Sequence, residues 1–316
     1  MGKTTRTLAA RSGLPSAIAL CMSLLVLGFA STGAAAKNPA QPAFAKGTLR
    51  LSAIPDQDPE KLNRLYGRVS EYLSKSLGVD VKYVPVTDYT AAVSSFRIGD
   101  LDAVWFGGLT GVQARLQTPG ARLLAQRDID SKFQTVFISG AASGIGPVGD
   151  VAGLTAIKGH SLTFGSESST SGRLMPQYFL KTAGVKTADL RGTPGFSGSH
   201  DATIKLVEAG TFEVGALNRQ VWLSAVAAGT VDLTKVKLIF ETPPYADYHW
   251  LARPNLDKRF GKGFTKALQR AILALDIRKP SEADVLALFG AKRFVPTTAS
   301  NYKKIESIGR ELGLIR

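Results

Sequence analysis

The chain has 316 residues and a formal net charge of +14. Its basic residues are dispersed rather than gathered in one block, which is typical of a generally positive surface that attracts anions and argues against a nucleic-acid partner. Its single cysteine, Cys21, lies in an apolar N-terminal segment, so the rest of the chain has no thiol, which excludes a disulfide framework, a zinc–thiolate site and a cysteine nucleophile.

The first residues have the pattern of a secretory signal peptide. Three basic residues and no acid precede Leu14, the stretch from Leu14 to Ala30 is almost wholly apolar, and small residues follow as far as Ala36. A basic region, an apolar region and a small-residue end are the three parts of such a signal. The sequence therefore predicts a signal peptide over residues 1–36 and export to the periplasm. Cleavage after Ala45 and an uncleaved membrane anchor are the alternatives.

From residue 48 onward, short β-rich runs alternate with amphipathic stretches of helical period. We predict strands at Thr48–Ala53, Val79–Val84, Ala103–Phe106, Arg122–Gln126, Gln134–Ser139, Leu162–Phe164, Val214–Leu217 and Lys237–Glu241. We predict helices at Pro59–Leu77, Tyr89–Ile98, Thr170–Ala183, Ala202–Glu208, Phe264–Leu275, Glu282–Phe289 and Ala299–Leu312. No stretch after the signal reaches the length that a membrane-spanning helix needs.

The alternation of strands and helices predicts an α/β protein in which parallel sheets carry helices on both faces. Two sets of these units follow one another along the chain, and the helical tail would return to the first set. The predicted organisation is two lobes, with lobe 1 formed by residues 47–136 plus 247–316 and lobe 2 by residues 137–246. In open sheets of this kind, ligands bind beyond the carboxyl ends of the strands, at helix N-termini.

The strongest candidate for a ligand site is the turn from Phe164 to Gly172, between a predicted strand and a predicted helix. Unpaired N–H groups and the helix dipole favour an anion at such a place. Ser169, Thr170 and Ser171 add hydroxyl donors, and glycine allows close approach. An ordinary helix cap, which needs one hydroxyl, is the alternative. The chain has no phosphate-cradling lysine motif, so a nucleoside triphosphate is not expected.

Three further turns contain candidate ligand residues. His200 comes near the start of a predicted helix, where a ring N–H can donate to an anion, although a capping or surface histidine is the alternative. The chain has only three histidines, so no metal site is predicted. Aromatic residues follow two strands, in Trp105–Phe106 and in the segment from Thr242 to His249. They can wall a ligand pocket or pack in the core, and we favour core packing for Trp105.

The landmarks of the chain occur in the order found in one family of proteins. They are Asp88-Tyr89, Asp102-Ala103-Val104-Trp105-Phe106-Gly107, Leu162-Thr163-Phe164-Gly165, Ser169-Thr170-Ser171-Gly172, Gly198-Ser199-His200 and Thr242-Pro243-Pro244. Over residues 48–296 the sequence resembles the phosphonate- and phosphite-type periplasmic binding proteins of ABC importers, a group that includes proteins assigned to selenate. The resemblance implies the two-lobed type II periplasmic binding fold, which closes like a hinge on a ligand in the cleft between its lobes.

The resemblance also implies a set of ligand-binding residues. By position they are Ser169, Thr170, Ser171, His200, Tyr89, Phe106, Phe133, Asn218, Asp247 and Tyr248. Phe133 stands where the family often has a tyrosine. Asn218 begins a segment without an acid at the place where phosphonate binders use a carboxylate, apparently to meet an amino group on the ligand. A second acid of the family corresponds to Asp247 or Tyr248. The missing carboxylate favours a smaller ligand that lacks an amino group.

The predicted function is therefore the periplasmic substrate-binding component of an ABC importer for a small phosphonate-like, phosphite-like or selenate-like oxyanion. Its expected partners are that oxyanion and a permease of the inner membrane, with no nucleic acid. We expect a monomer without a cofactor or metal and without enzymatic activity. Three alternatives stay open: an enzyme on the same fold, a binding protein for an unrelated small anion such as sulfate, and the sensory domain of a signalling protein.

Overall fold

The strands of the chain divide between two sheets. The computed structural model describes residues 44–316, so the predicted signal peptide, residues 1–36, lies outside the described residues. The strands are β1 (Thr48–Ala53), β2 (Asp80–Tyr83), β3 (Ala103–Phe106), β4 (Arg122–Arg127), β5 (Thr135–Gly140), β6 (Leu162–Phe164), β7 (Gly195–Phe196), β8 (Val214–Asn218), β9 (Val236–Glu241), β10 (His249–Ala252) and β11 (Phe294–Val295). The six-stranded sheet has the order β11-β4-β10-β3-β1-β2, and the five-stranded sheet has the order β7-β6-β8-β5-β9.

Helices cover both sheets. They are α1 (Pro59–Leu77), α2 (Tyr89–Ile98), α3 (Gly108–Gln117), α4 (Met175–Thr182), α5 (His200–Glu208), α6 (Arg219–Ala227), α7 (Leu256–Phe260), α8 (Phe264–Leu273), α9 (Pro280–Leu288) and α10 (Lys303–Glu311). The predicted helix Thr170–Ala183 is divided into a π-helical turn, Thr170–Leu174, and α4. None of the helices within residues 44–316 combines the length and apolar character needed to cross a membrane.

Local chemistry explains where α1 begins and ends. The side chain of Asp58 caps the helix and accepts hydrogen bonds from the N–H groups of Glu60 and Lys61 at 3.0 and 3.1 Å. Pro59 occupies the first position, where a missing N–H has no cost. Gly78 ends the helix with a φ of 68°, which glycine adopts without strain. The buried face has the predicted helical spacing and consists mainly of Leu62, Leu65, Tyr66, Val69, Leu73 and Leu77.

Both sheets are mixed, which corrects the prediction of parallel sheets. β1 is parallel to β2 and β3, and β6 is parallel to β7 and β8. In contrast, β10 is antiparallel to β3 and β4, and β5 is antiparallel to β8 and β9. The chain enters β5 and β10 directly from the other sheet, without the helical crossover that makes neighbouring strands parallel. The lobe ranges, residues 47–136 plus 247–316 and residues 137–246, stay a prediction.

The two connections between the sheets lie side by side. The N–H of Phe133 donates to the carbonyl of Tyr245 at 2.8 Å, and the N–H of Tyr245 donates back to the carbonyl of Phe133 at 2.9 Å. The N–H of Asp247 donates to the carbonyl of Asp130 at 3.0 Å. These bonds hold the segment before β10 at the junction of the two sheets, where the turns after β1, β3, β6 and β8 also meet.

Candidate functional site

The hydroxyl turn, which we define as Ser169–Gly172, follows β6 and is buried. The Oγ of Ser169 accepts a hydrogen bond from the N–H of Gly172 at 2.9 Å, so Ser169 caps the π-helical turn. A Cβ on Gly172 would lie 3.0 Å from the Cα of Gly165, so the close approach of these two segments requires glycine. The helix-cap alternative therefore describes Ser169, but it does not account for the next two hydroxyls.

Thr170 joins the hydroxyl turn to the N-terminus of α3, which packs on the other sheet. The Oγ1 of Thr170 accepts a hydrogen bond from the N–H of Leu109 at 2.9 Å, which leaves its own proton for another acceptor. The neighbouring N–H of Gly108 donates to Oδ1 of Asp247 at 2.7 Å. A Cβ on Gly107 would lie 3.2 Å from Oγ1 of Thr170 and 3.3 Å from Oδ1 of Asp247. The first N–H groups of α3 thus meet both predicted ligand residues.

Three polar atoms of the predicted site make no hydrogen bond of normal geometry with the described residues, although the side chains of Ser169, Tyr245 and Thr170 lie close to these groups. They are Oδ2 of Asp247, the hydroxyl of Tyr89 and Oγ of Ser171, and each residue is at most 1 % exposed. Burial and the charge of Asp56 raise the pKa of Tyr89 well above its usual value, so its hydroxyl stays protonated and can donate. Unpaired polar atoms in a protein interior cost free energy. These three atoms therefore indicate the place of a polar ligand.

His200 and Asn218 converge on the hydroxyl of Tyr248. The Nδ2 of Asn218 donates to that oxygen at 3.2 Å, and Nε2 of His200 lies 3.4 Å from it. The N–H of Asn218 donates to Nδ1 of His200 at 3.3 Å, which assigns the imidazole proton to Nε2. Burial lowers the pKa of His200 to about 4. At neutral pH the ring is therefore an uncharged N–H donor rather than a cation.

Asp56 is the candidate residue that the sequence pattern missed. Its Oδ2 accepts a hydrogen bond from the hydroxyl of Tyr248 at 2.8 Å, and its carbonyl accepts one from the N–H of His200 at 3.0 Å. Asp56 is 5 % exposed, and burial raises its pKa to about 6. It lies just beyond the carboxyl end of β1, so the rule that drew attention to the turns after β3 and β6 also applies to it.

A buried ion pair lies behind Tyr248. Arg127 donates from Nη2 to Oδ1 of Asp130 at 2.6 Å and from Nε to Oδ2 at 2.9 Å. The guanidinium carbon lies 5.5, 5.6 and 4.9 Å from the ring centroids of Trp105, Phe133 and Tyr248. The ring of Phe133 thus packs against this cation, and this cation–π contact does not require a tyrosine hydroxyl. Trp105 is 3 % exposed and packs within this cluster, and it also lines the small cavity beside Tyr248, so core packing and a place in a pocket wall both describe it.

Phe106 is fully buried, and its ring packs edge to face against Phe96 with centroids 5.6 Å apart. A ligand role for Phe106 stays a prediction. The structure brings the other predicted residues around the junction of the two sheets: Tyr89, Phe133, Ser169, Thr170, Ser171, His200, Asn218, Asp247 and Tyr248. Within residues 44–316, no group of three or more His, Cys, Asp or Glu side chains is arranged to hold a metal ion.

A small cavity opens beside Tyr248. Its volume is about 60 Å³, and its polar walls include Asp56, Arg127, Asn218 and Gln220. Such a volume holds a few water molecules or a small substituent. The site as a whole offers several hydroxyl and N–H donors but few positive charges, which suits an anion held by hydrogen bonds.

Comparison with known proteins agrees with this geometry. Residues 51–302 match the family described as the periplasmic substrate-binding protein of the phosphonate ABC transporter. A relative from Prochlorococcus marinus (strain MIT 9301), the probable ABC transporter phosphite binding protein PhnD1, is 50% identical over 269 residues, which are 85% of this chain and 91% of the relative. The phosphate-import protein PhnD of Mycolicibacterium smegmatis is 26% identical over 71% of each chain.

Solved structures extend the comparison to the fold. The structure of Prochlorococcus marinus PhnD1 in complex with methylphosphonate matches with a TM-score of 0.84 and covers 85% of this chain and 99% of that one. A binding protein of a Pseudomonas aeruginosa ABC phosphonate transporter shares the fold at 17% identity, with a TM-score of 0.72, over 84% of this chain and 86% of that one.

These proteins bind substrates for transport rather than convert them, and their architecture is the two-lobed type II fold that the resemblance implied. The expectation of a binding protein rather than an enzyme is therefore confirmed at the level of the family. The chain belongs to the family of periplasmic substrate-binding proteins of phosphonate ABC transporters.

Proposed function

We propose that this protein binds a small phosphorus oxyanion, phosphite or a small alkylphosphonate, at the junction of its two sheets and delivers it to the permease of an ABC importer. The observation that carries the proposal is the set of three buried unpaired polar atoms, on Tyr89, Ser171 and Asp247, next to the hydroxyl turn. The phosphite name and the methylphosphonate complex of the 50% identical relative support it.

The ligand is expected to lack an amino group. Asn218 occupies the place of the carboxylate that phosphonate binders use for an amino group, as the resemblance implied. The carboxylate of Asp56 lines the small cavity, but it accepts the hydroxyl proton of Tyr248 and lies in the field of Arg127. An ammonium group placed there would meet a buried cation and a carboxylate that is already bonded, which is unfavourable.

Calorimetric titration of the exported protein tests the proposal. Phosphite and methylphosphonate should bind, and 2-aminoethylphosphonate should bind more weakly than methylphosphonate. Phosphate, sulfate and selenate complete the series because they keep the tetrahedral shape and change the charge and protonation. Binding of none of the phosphorus oxyanions would contradict the proposed function, and tighter binding of 2-aminoethylphosphonate would contradict the argument from Asn218.

Export and closure form the second part of the proposal. Removal of residues 1–36 would release a periplasmic monomer that has no nucleic-acid partner and closes on its ligand by a hinge at the two connections. Mass spectrometry of periplasmic material should give a chain that begins after Ala36. Small-angle scattering with and without methylphosphonate should show a monomer that becomes more compact, and an unchanged radius at saturation would contradict hinge closure.

A further inference from the structure

We propose that Asp247 and the bound oxyanion share one proton, so that a fully ionised oxyanion binds the ionised carboxylate only together with one proton taken up from solvent. This inference rests on the proposed function and names the protonation state of its ligand.

The geometry of Asp247 makes one of its oxygens available. The N–H of Gly108 donates to Oδ1 at 2.7 Å, and the backbone of Asp247 is fixed by its own N–H, which donates to the carbonyl of Asp130 at 3.0 Å. Oδ2 has no partner among the described residues, and the residue is 1 % exposed. An ionised carboxylate oxygen only accepts hydrogen bonds, so a ligand atom next to Oδ2 has to bring a hydrogen.

The other unpaired atoms belong to hydroxyl groups, which need a hydrogen-bond acceptor on the ligand. The hydroxyls of Tyr89 and Ser171 can each donate a proton, whereas the hydroxyl of Thr170 interacts with the carboxylate of Asp247. Several donors and one acceptor complement a tetrahedral anion that has bare oxygens and one O–H. Phosphite and alkylphosphonates take this form when they are singly protonated. Sulfate and selenate do not carry a proton at neutral pH.

The charges around Asp247 do not offset the cost of burying its ionised carboxylate. The nearest guanidinium, that of Arg127, is bonded twice to Asp130, which adds a second negative charge nearby. Burial raises the pKa of Asp247 to about 7, although the N–H of Gly108 opposes the shift. The titratable groups that face it belong to several elements: Tyr89 of α2, Arg127 of β4, Asp130 after β4, Tyr245 and Tyr248 of its own segment, His249 of β10 and Tyr302 before α10.

A fully ionised anion would therefore place a negative oxygen against a buried carboxylate. It can bind only when Asp247 itself takes a proton from solvent, and above the pKa of Asp247 this reduces the affinity about tenfold per pH unit. A phosphorus oxyanion can supply the proton from its own acid–base equilibrium. In both cases the complex contains one proton between Oδ2 and the ligand, which is the quantity that an experiment can count.

Calorimetry in two buffers of different ionisation enthalpy counts that proton. The titration uses the exported protein and methylphosphonate at a pH about two units above the pKa of Asp247, where both the free ligand and the free carboxyl are ionised. We expect close to one proton to be taken up per ligand bound. We also expect the affinity for sulfate to fall about tenfold for each pH unit above the pKa of Asp247. Uptake near zero by the wild-type protein would overturn the inference.

Asp247→Asn provides the second arm. Asn keeps an acceptor for the N–H of Gly108, so folding should survive, and it presents an N–H group in place of Oδ2. We expect it to take up no proton when it binds methylphosphonate and to bind sulfate with an affinity that does not fall as the pH rises above neutral. Asp284→Asn, at an exposed ion pair with Arg68, is the matched control and should behave as the wild type.

The outcomes separate the two levels of the proposal. If the wild-type protein binds no oxyanion, the proposed function fails. If it binds methylphosphonate and Asp247→Asn retains the proton uptake, only the shared proton is refuted. The proton count on the wild-type protein does not depend on how well any variant folds.

Discussion

Thr170→Ala is expected to lower the affinity for the ligand without lowering the stability of the ligand-free protein. The Oγ1 of Thr170 accepts the N–H of Leu109 at 2.9 Å, and the two residues belong to elements on different sheets. In the closed protein, loss of the hydroxyl leaves a buried N–H without a partner. In the open state that we propose, both groups meet water instead. The penalty therefore falls on the closed, ligand-bound state.

The size of the effect follows from these contacts. An unpaired buried N–H costs about 1–3 kcal/mol, and a lost hydrogen bond from the hydroxyl to a charged ligand costs roughly 1.5–3 kcal/mol. Since about 1.4 kcal/mol corresponds to a factor of ten in Kd, either cost alone lowers the affinity on the order of tenfold to a hundredfold, and we expect the affinity for methylphosphonate to fall by at least about tenfold.

Two further variants make the assay selective. Thr170→Ser retains the oxygen and should bind within about threefold of the wild type, because the loss of a methyl group costs less than 1 kcal/mol or so. Ser169→Ala removes the cap on Gly172 and should lower the free energy of unfolding by about 0.5–2 kcal/mol. Calorimetric titration and thermal melting are measured on the same samples. If Thr170→Ala lowers the melting temperature and leaves the affinity unchanged, the reasoning is refuted.

Three other perturbations test the site. Tyr89→Phe should weaken methylphosphonate binding about tenfold in a titration and leave the melting temperature of the ligand-free protein unchanged, since its hydroxyl has no partner among the described residues. His200→Ala should lower affinity by the same factor at about pH 6 and about pH 8, because the pKa of His200 is about 4; a factor that changes with pH would contradict a neutral ring. Burial raises the pKa of Asp56 from 3.8 to about 6, so the folded state binds this proton more tightly than the unfolded state does. The contribution of Asp56 to the free energy of unfolding therefore falls as the pH rises between these values. Asp56→Asn should therefore raise the melting temperature relative to the wild type more at about pH 7 than at about pH 4.

The predicted elements and the hydroxyl turn could be recognised because their causes are local, whereas β7, β10, β11, α3, α6 and α7 were not predicted. Asp58-Pro59 and Gly78 mark the ends of α1 through caps and backbone angles that involve only neighbouring residues. Every predicted strand is present, because the spacing of apolar residues along a strand does not depend on which strand is its neighbour. The run from Ser169 to Gly172 likewise needs no tertiary information to be named as a candidate anion site at a helix start.

Strand direction and the composition of the site depended on tertiary structure. The direction of β5 and β10 follows from where the chain crosses between sheets, which hydrophobic period does not encode. Asp56 and His200 meet although they are far apart in the sequence, and so do Leu109 and Thr170. The missing partner of Oδ2 of Asp247 and the lowered pKa of His200 are properties of burial. Burial arises only when two sheets close on one another, so residue type and spacing alone could name these side chains but not their protonation or their partners.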